Sequence, residues 1–307
     1  LMRGAVCHEL FHRAQENYLP TQPLDYFLGD AVLWEREAFS VWSEWLMNGP
    51  DYVPLTVGGI NNPNTALFPR NGLFNADTSA VAGNSVRIRR QNHGYGASAF
   101  LRYCQEQGTP VNAAQDFWFE LNGATDIPAL FANTFGAGDD LEITWREFAQ
   151  QLYQGRLAYA GNVSNFVASL QDTPRWAVTT DGTIVDSLSG QLEFYHRPYG
   201  AQIGQIQINT PDALTEEVSM LLTLEGDSDA FIRANTEVMV CSRDLGAYTP
   251  LPEPYLIPGG RILIPDLRPY LAQRGTNFLV IVTDGRDADA NYNVTLTVRL
   301  FPRNLRY

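Results

Sequence analysis

Near its beginning the sequence runs His8-Glu9-Leu10-Phe11-His12. In a helix, side chains four residues apart stack on one face, so His8 and His12 can offer imidazole nitrogens to a single metal ion. Zn2+ suits nitrogen ligands of this kind, and a catalytic zinc site takes three protein ligands and leaves its fourth position to water. Glu9 follows His8 directly and projects to the side of such a metal, where its carboxylate can take a proton from the attacking water. The chemistry implied is hydrolysis, in which zinc lowers the pKa of water to about 7 and polarises the carbonyl under attack. Ordinary residue usage produces this spacing by chance in roughly one chain of this length in a hundred. A third protein ligand has to come from outside the motif.

The elements that must position these groups are legible from periodicity. Residues 3–18 read as a helix on the spacing of Val6, Leu10 and Ala14, with Pro20 just beyond its end. A second helix is expected over 29–48, with Asp30 as N-cap, a face of Ala38, Val41, Trp42 and Trp45, and Gly49-Pro50 as the stop. Residues 50–93 hold repeated Asn, Pro and Gly without a sustained period and read as a long irregular excursion. Helical patterning returns from Tyr95 to about Gln107 and again near 112–122, 126–135 and 143–158. After Pro174 the period changes to two: Val294, Leu296, Val298 and Leu300 alternate with Thr295, Thr297 and Arg299, and shorter runs fall at 203–208, 218–224, 237–242, 261–265 and 277–283. The expected fold class is therefore α+β and multidomain. A mainly helical subdomain over 1–172 should be followed by an antiparallel β-sandwich over 176–307, able to fold by itself because period-two strands bury their own faces.

The second helix reads Trp34-Glu35-Arg36-Glu37-Ala38-Phe39-Ser40 and resembles the W-x-x-E-G/A-x-A segment of gluzincin metallopeptidases, the class that includes thermolysin and the zinc aminopeptidases. The resemblance implies a zincin-type catalytic subdomain that hydrolyses peptide bonds, with Zn2+ held by His8, His12 and Glu37. Glu35 and Glu44 are rivals for the third ligand: Glu35 lies on another face of the helix from Glu37, whereas Glu44, two turns on, shares its face. The segment Tyr95-Gly96-Ala97-Ser98-Ala99-Phe100-Leu101 is similar to the helix that carries an oxyanion-stabilising tyrosine in aminopeptidase-like members. Tyr95 is the residue so implied, with His93 as an alternative donor in the manner of thermolysin-like members. The family-like stretch spans about Ala5 to Phe148 and most resembles poorly characterised bacterial members. It implies a polypeptide substrate, a secreted or cell-surface location and, in preference to an aminopeptidase, an endopeptidase. In gluzincins a small β-sheet precedes the zinc helix and holds the substrate backbone. With the motif in the first turns of the first element and no signal-peptide pattern at Leu1, a missing N-terminal segment is expected to complete the active site.

Composition narrows the alternatives. The net charge of −13 and pI near 4.7 oppose contact with phosphate backbones, so nucleic acid is excluded as an expected partner. No apolar run is long enough to span a membrane. Cys7, Cys104 and Cys241 form neither a disulfide framework nor a zinc-binding C-x-x-C pair. Cys7 and Cys104 are expected to bridge if the zinc helix and the Tyr95 helix pack around one site, and Cys241, in a strand pattern, is expected to be a buried free thiol. Asp284, Asp287, Asp289 and Asn291 alternate as calcium ligands can. Without Gly at the sixth position from Asp287, and with Val298 at the twelfth, they read instead as a polar hairpin tip. A reading of another class also stands: a silent binding or structural module in which the zinc site is vestigial.

Overall fold

The computed structural model describes residues 2–18, 33–49, 51–54, 68–76, 85–121, 126–135, 141–160, 173–181, 183–184, 186–209, 214, 216–226, 236–244, 247–251, 255–257, 260–271, 277–284 and 292–302. The fold is α+β, and the chain divides into two compact units, the first built on Leu1–Ala168 and the second on stretches from Ser169 onward.

The first unit contains α1 (Met2–Tyr18), α2 (Leu33–Asn48), α3 (Val86–Glu106), α4 (Ala113–Leu121), α5 (Ile127–Phe135) and α6 (Leu141–Gln154). Helix α2 packs against both α1 and α3. It is buried along almost its whole length, and the buried set includes the carboxylates Glu35, Glu37 and Glu44 beside Phe39, Val41, Trp42 and Trp45. A buried carboxylate is costly without a compensating partner, so a single buried helix carrying three of them marks where function and packing compete. Around α2 lies an aromatic core: Phe39 contacts Phe117, Trp118 and Phe135, while Phe100 contacts Trp145 and Phe148. Each ring buries roughly 150–250 Å², worth about 4–6 kcal/mol before the entropy of ordering it is subtracted.

Three sequence expectations change here. The Val6, Leu10 and Ala14 face of α1 is not its buried one: Val6 is 51% exposed, Leu10 63%, and Ala14 is exposed as well. The side turned inward carries Gly4, His8, Phe11, His12 and Gln15. Helix α3 begins at Val86, inside the stretch expected to be irregular, with the Ser85 hydroxyl accepting the Ile88 N–H as N-cap. Its first turn is exposed and so has no apolar period to read. A further helical turn occupies 68–71, while residues 55–67 and 77–84 of that stretch, and the expected α2 start at Asp30, lie outside the described residues.

The second unit holds two five-stranded sheets, ordered β1-β3-β9-β5-β6 and β2-β10-β4-β8-β7. The strands are β1 (Arg175–Thr179), β2 (Leu188–His196), β3 (Ala201–Asn209), β4 (Val218–Gly226), β5 (Thr236–Asp244), β6 (Ala247–Pro250), β7 (Tyr255–Ile257), β8 (Arg261–Ile264), β9 (Asn277–Asp284) and β10 (Tyr292–Pro302). All the pairings are antiparallel except β1 with β3. Strand β10 lies between β2 and β4, with Leu296 opposite Leu192 on one side and Leu224 on the other. Its Val294, Leu296, Val298 and Leu300 join one core cluster with Ile206 and Ile208 of β3 and Phe278, Val280 and Val282 of β9, so the two sheets share a hydrophobic interior. The Asp-rich loop after the buried Asp284 lies outside the described residues.

The expected Cys7–Cys104 bridge is absent, and none of the three cysteines is in a disulfide. The reason is the layering: α2 lies between α1 and α3 and packs on each. Cys7 is half-buried whereas Cys104 and Cys241 are buried. A thiol-reactive chromogenic disulfide should therefore label Cys7 readily in the native protein, and all three only after denaturation. Two protected equivalents that appear only on adding reductant would contradict the free-thiol assignment. Among the described residues no helix is long and apolar enough to cross a membrane.

A candidate metal centre on α1 and α2

Helix α1 brings His8 and His12 onto the face it turns toward α2, and α2 meets them with Glu37. The three donor atoms converge. His8 Nε2 and His12 Nε2 are 3.2 Å apart, His8 Nε2 lies 3.3 Å from Glu37 Oε2, and His12 Nε2 lies 3.7 Å from the same oxygen. Four-coordinate zinc with bonds of about 2.0–2.1 Å sets neighbouring donor atoms about 3.3 Å apart. The triangle made by these side chains therefore has the dimensions of one face of a zinc tetrahedron. Glu37 Oε2 is also buried and accepts no well-aligned hydrogen bond among the described residues. By both tests the residues present fit a zinc ion.

The rear nitrogens of both imidazoles are held. His8 Nδ1 lies 3.1 Å from Glu44 Oε1, and a carboxylate can only accept, so Nδ1 carries a hydrogen. His12 Nδ1 lies 3.0 Å from Gln15 Oε1, and Gln15 is itself oriented by donating from Nε2 to the Arg36 carbonyl at 3.2 Å. Ser40 Oγ is 3.0 Å from the same His12 nitrogen. With Nδ1 held by an acceptor in each ring, it is the Nε2 atoms that face Glu37, the nitrogens left to a metal once the His8 proton is displaced. Glu44, weighed as a rival ligand, thus stands behind His8, and Glu35, 2% exposed, is outside the ligand group. Burial pushes the Glu35 carboxyl up to about 8, opposed by its own backbone and by Arg90.

The electrostatics of the triangle follow from its contacts. Burial works against charge on His8, yet Glu37 and Glu44 outweigh it and raise the imidazole to about 9. Burial likewise favours a neutral Glu37, and the imidazoles of His12 and His8, with Gln91, outweigh it and hold the carboxyl down to about 2. Without metal, then, a proton on His8 balances the Glu37 carboxylate in the space the three donors enclose.

Helix α3 supplies the other wall. Gln91 Nε2 donates to Glu37 Oε1 at 3.2 Å, and Tyr95, one turn later, is near enough to feel the Glu37 charge. Burial, Glu37 and the charge of Glu9 together push the Tyr95 phenol up to about 12, so it remains a donor at neutral pH. The approach of α3 depends on Gly94: a Cβ there would lie 2.3 Å from the Trp34 carbonyl oxygen and 2.8 Å from Glu37 Cβ. Glu9 is exposed on α1, and its charge reaches Tyr95. His93 is not brought to the site. It is fully buried, its Nε2–H donates to the Leu73 carbonyl at 2.8 Å, and its ring stands edge-on to Trp34 and Phe68. His93, weighed as an alternative donor, thus lies outside the group formed by His8, His12 and Glu37. Gln15, Gln91 and Tyr52 escaped sequence reasoning. For Gln15 a clue existed, since it falls one turn after His12 on the face shared by both histidines.

No known family model matches the chain, and no curated protein matches it. Among solved structures it is similar to PliG of Aeromonas hydrophila, a periplasmic inhibitor of g-type lysozyme, at 12% identity over 42% of this chain and 99% of that one, with a TM-score of 0.23. A mutant of the corresponding Escherichia coli inhibitor matches at 7% identity over 42% of this chain and 100% of the other, with a TM-score of 0.22.

Proposed function

We propose that this protein is a zinc-dependent hydrolase of peptide bonds, acting as a secreted or cell-surface endopeptidase on polypeptide substrates. The observation that carries the reading is the converging triangle of His8 Nε2, His12 Nε2 and Glu37 Oε2, with edges of 3.2, 3.3 and 3.7 Å. His8, His12 and Glu37 are the ligands, and zinc held there supplies Lewis acidity to the scissile carbonyl and acidifies the attacking water. Glu9, exposed beside the ligand face, is the general base: it takes one proton from water as the carbon–oxygen bond forms and delivers a proton to the departing amine as the carbon–nitrogen bond breaks. Tyr95 keeps its hydroxyl proton and offers it to the developing oxyanion. Glu44 and Gln15 hold the two imidazoles in the tautomer that binds metal.

The first test is metal content and casein hydrolysis measured on the same preparation, with a chelator removing both and zinc restoring both. A chain that binds zinc and cleaves nothing would favour the silent-module reading, and one that binds no zinc would end the enzyme reading and leave the module with a vestigial site. Tyr95→Phe then tests the phenol. A fall in kcat with unchanged KM and zinc content is expected for an oxyanion donor, whereas loss of zinc with kcat per bound metal unchanged would reduce Tyr95 to a support for Glu37.

A further inference from the structure

Behind His8 the structure carries an arrangement that metal ligation alone does not require. Glu44 is 7% exposed on the buried face of α2 and has both carboxylate oxygens engaged, Oε1 with His8 Nδ1 at 3.1 Å and Oε2 with the Tyr52 hydroxyl at 2.8 Å. The α2 backbone at Glu44 is tied too, its carbonyl accepting from Asn48 Nδ2 at 2.7 Å. Tyr52 lies just past the end of α2, so the chain has turned back to set a phenol against its own helix. The space it enters exists because residue 4 is glycine. A Cβ on Gly4 would lie 2.1 Å from the Tyr52 oxygen and 2.9 Å from Glu44 Oε2. Gly4 and His8 are one turn apart on α1 and therefore share the face that meets this pair. Gly4, Glu44 and Tyr52, from three stretches of chain, thus build one arrangement behind His8 Nδ1, with Glu44 as the group that touches it.

We propose that Tyr52 and Glu44 form a positioning relay that fixes the ring orientation and tautomer of His8 for metal binding, with Gly4 as the clearance that admits it. This inference rests on the zinc reading of the site. The physical reason is that a carboxylate free to rotate offers His8 two oxygens and several orientations. One pinned by a phenol on its far oxygen offers a single oxygen along a single direction, so the Nε2 lone pair is aimed before the ion arrives. A carboxylate on the rear nitrogen also makes the imidazole a more basic ligand. Tyr52 donates and Glu44 accepts, a polarity kept at neutral pH because burial and Glu44 raise the phenol to about 12.

The test is the zinc dissociation constant of the whole chain, measured by competition with a chromophoric chelator, with no substrate present. Tyr52→Phe is expected to weaken zinc by roughly 10-fold, and Glu44→Gln by roughly 10- to 100-fold, the range found for outer partners of metal-bound histidines. Both should shift the visible absorption of the cobalt-loaded protein, which a purely structural support would leave in place. Gly4→Ala should weaken zinc at least as much as Tyr52→Phe, because the new methyl displaces the phenol oxygen and also crowds Glu44 Oε2. Thermal unfolding followed by circular dichroism shows whether each variant folds. A wild-type chain that takes up no zinc overturns the metal reading and this inference with it. A wild-type chain that binds zinc, while folded variants bind equally well with unshifted cobalt spectra, overturns the relay alone. A folded Gly4→Ala variant that binds zinc as tightly as the wild type would overturn the role of Gly4.

Discussion

Glu9→Gln is expected to lower casein hydrolysis by about 10² to 10⁴, the usual contribution of a general base, equivalent to about 3–5 kcal/mol in the barrier. Zinc content should be unchanged. The two halves of this expectation come from different features. Glu9 is exposed, and the group of side chains able to hold a metal is His8, His12 and Glu37, so the substitution leaves every donor atom in place. Glutamine has the shape of glutamate and lacks only the basic oxygen, so proton abstraction from water is what fails. Zinc by emission spectroscopy and cleavage on the same sample separate the two effects. Retained cleavage would remove Glu9 from the mechanism, and lost zinc would make it a ligand.

Replacing a ligand should give the opposite pattern. In zinc-finger peptides, four ligands share about 10–16 kcal/mol of metal binding, so each is worth about 10²- to 10³-fold in affinity. Glu37→Ala and His12→Ala should each weaken zinc by that much and lose activity in proportion. The pH dependence has a definite sign. His8 in the metal-free protein is raised from 6.5 to about 9, so its contribution to folding is complete below 6.5 and is lost as pH rises through about 9. Glu37 is lowered from 4.5 to about 2, so its contribution is present above 4.5 and lost as pH falls through about 2. Both contributions are whole only between about 4.5 and 6.5. Zinc must displace the His8 proton, so its affinity should climb with pH up to about 9 and its binding near pH 7 should release close to one proton. Calorimetry in two buffers of different ionisation heat counts that proton. A count near zero, or affinity flat between pH 6 and pH 9, would contradict the proton-balanced triangle.

The pairing of His8 with His12 was readable because it depends on spacing within a single helix. His8 and His12 are four residues apart, and any helix through them must align them. Glu37 needed a resemblance, since nothing in α2's own periodicity distinguishes one buried carboxylate from another. His93 and Tyr95 were both carried as donors, although two residues on a helix are about 200° apart and only one could face Glu37. In the second unit the expected runs correspond to β3, β4, β5, β8, β9 and β10, where apolar residues alternate strongly. Strand β2 escaped because its buried set of Leu192, Phe194 and His196 occupies only its second half and includes a polar member. Strand β1 buries no residue fully, and β6 and β7 are three or four residues long. The largest misreading was α1, where the apolar stripe faces outward and the inward face carries imidazoles and an amide. Hydrophobic patterning identifies a helix's inner face only when packing alone chose it.

That inversion has a consequence for how α1 is held. A helix usually adheres to its neighbours by the apolar area it removes from water, whereas here Val6 and Leu10 stay largely outside. Attachment to α2 depends instead on a few polar links, from His8 to Glu44, from Gln15 to the Arg36 carbonyl, and across the triangle to Glu37. Such a segment belongs to the part of a fold that opens locally at low free energy, long before the aromatic core around α2 gives way. On the proposed zinc reading, amide hydrogens along α1 should exchange with solvent more slowly when an ion occupies the triangle than when a proton does. On that reading, capture of an ion would then be a step of folding, completing the docking of the helix that carries His8 and His12.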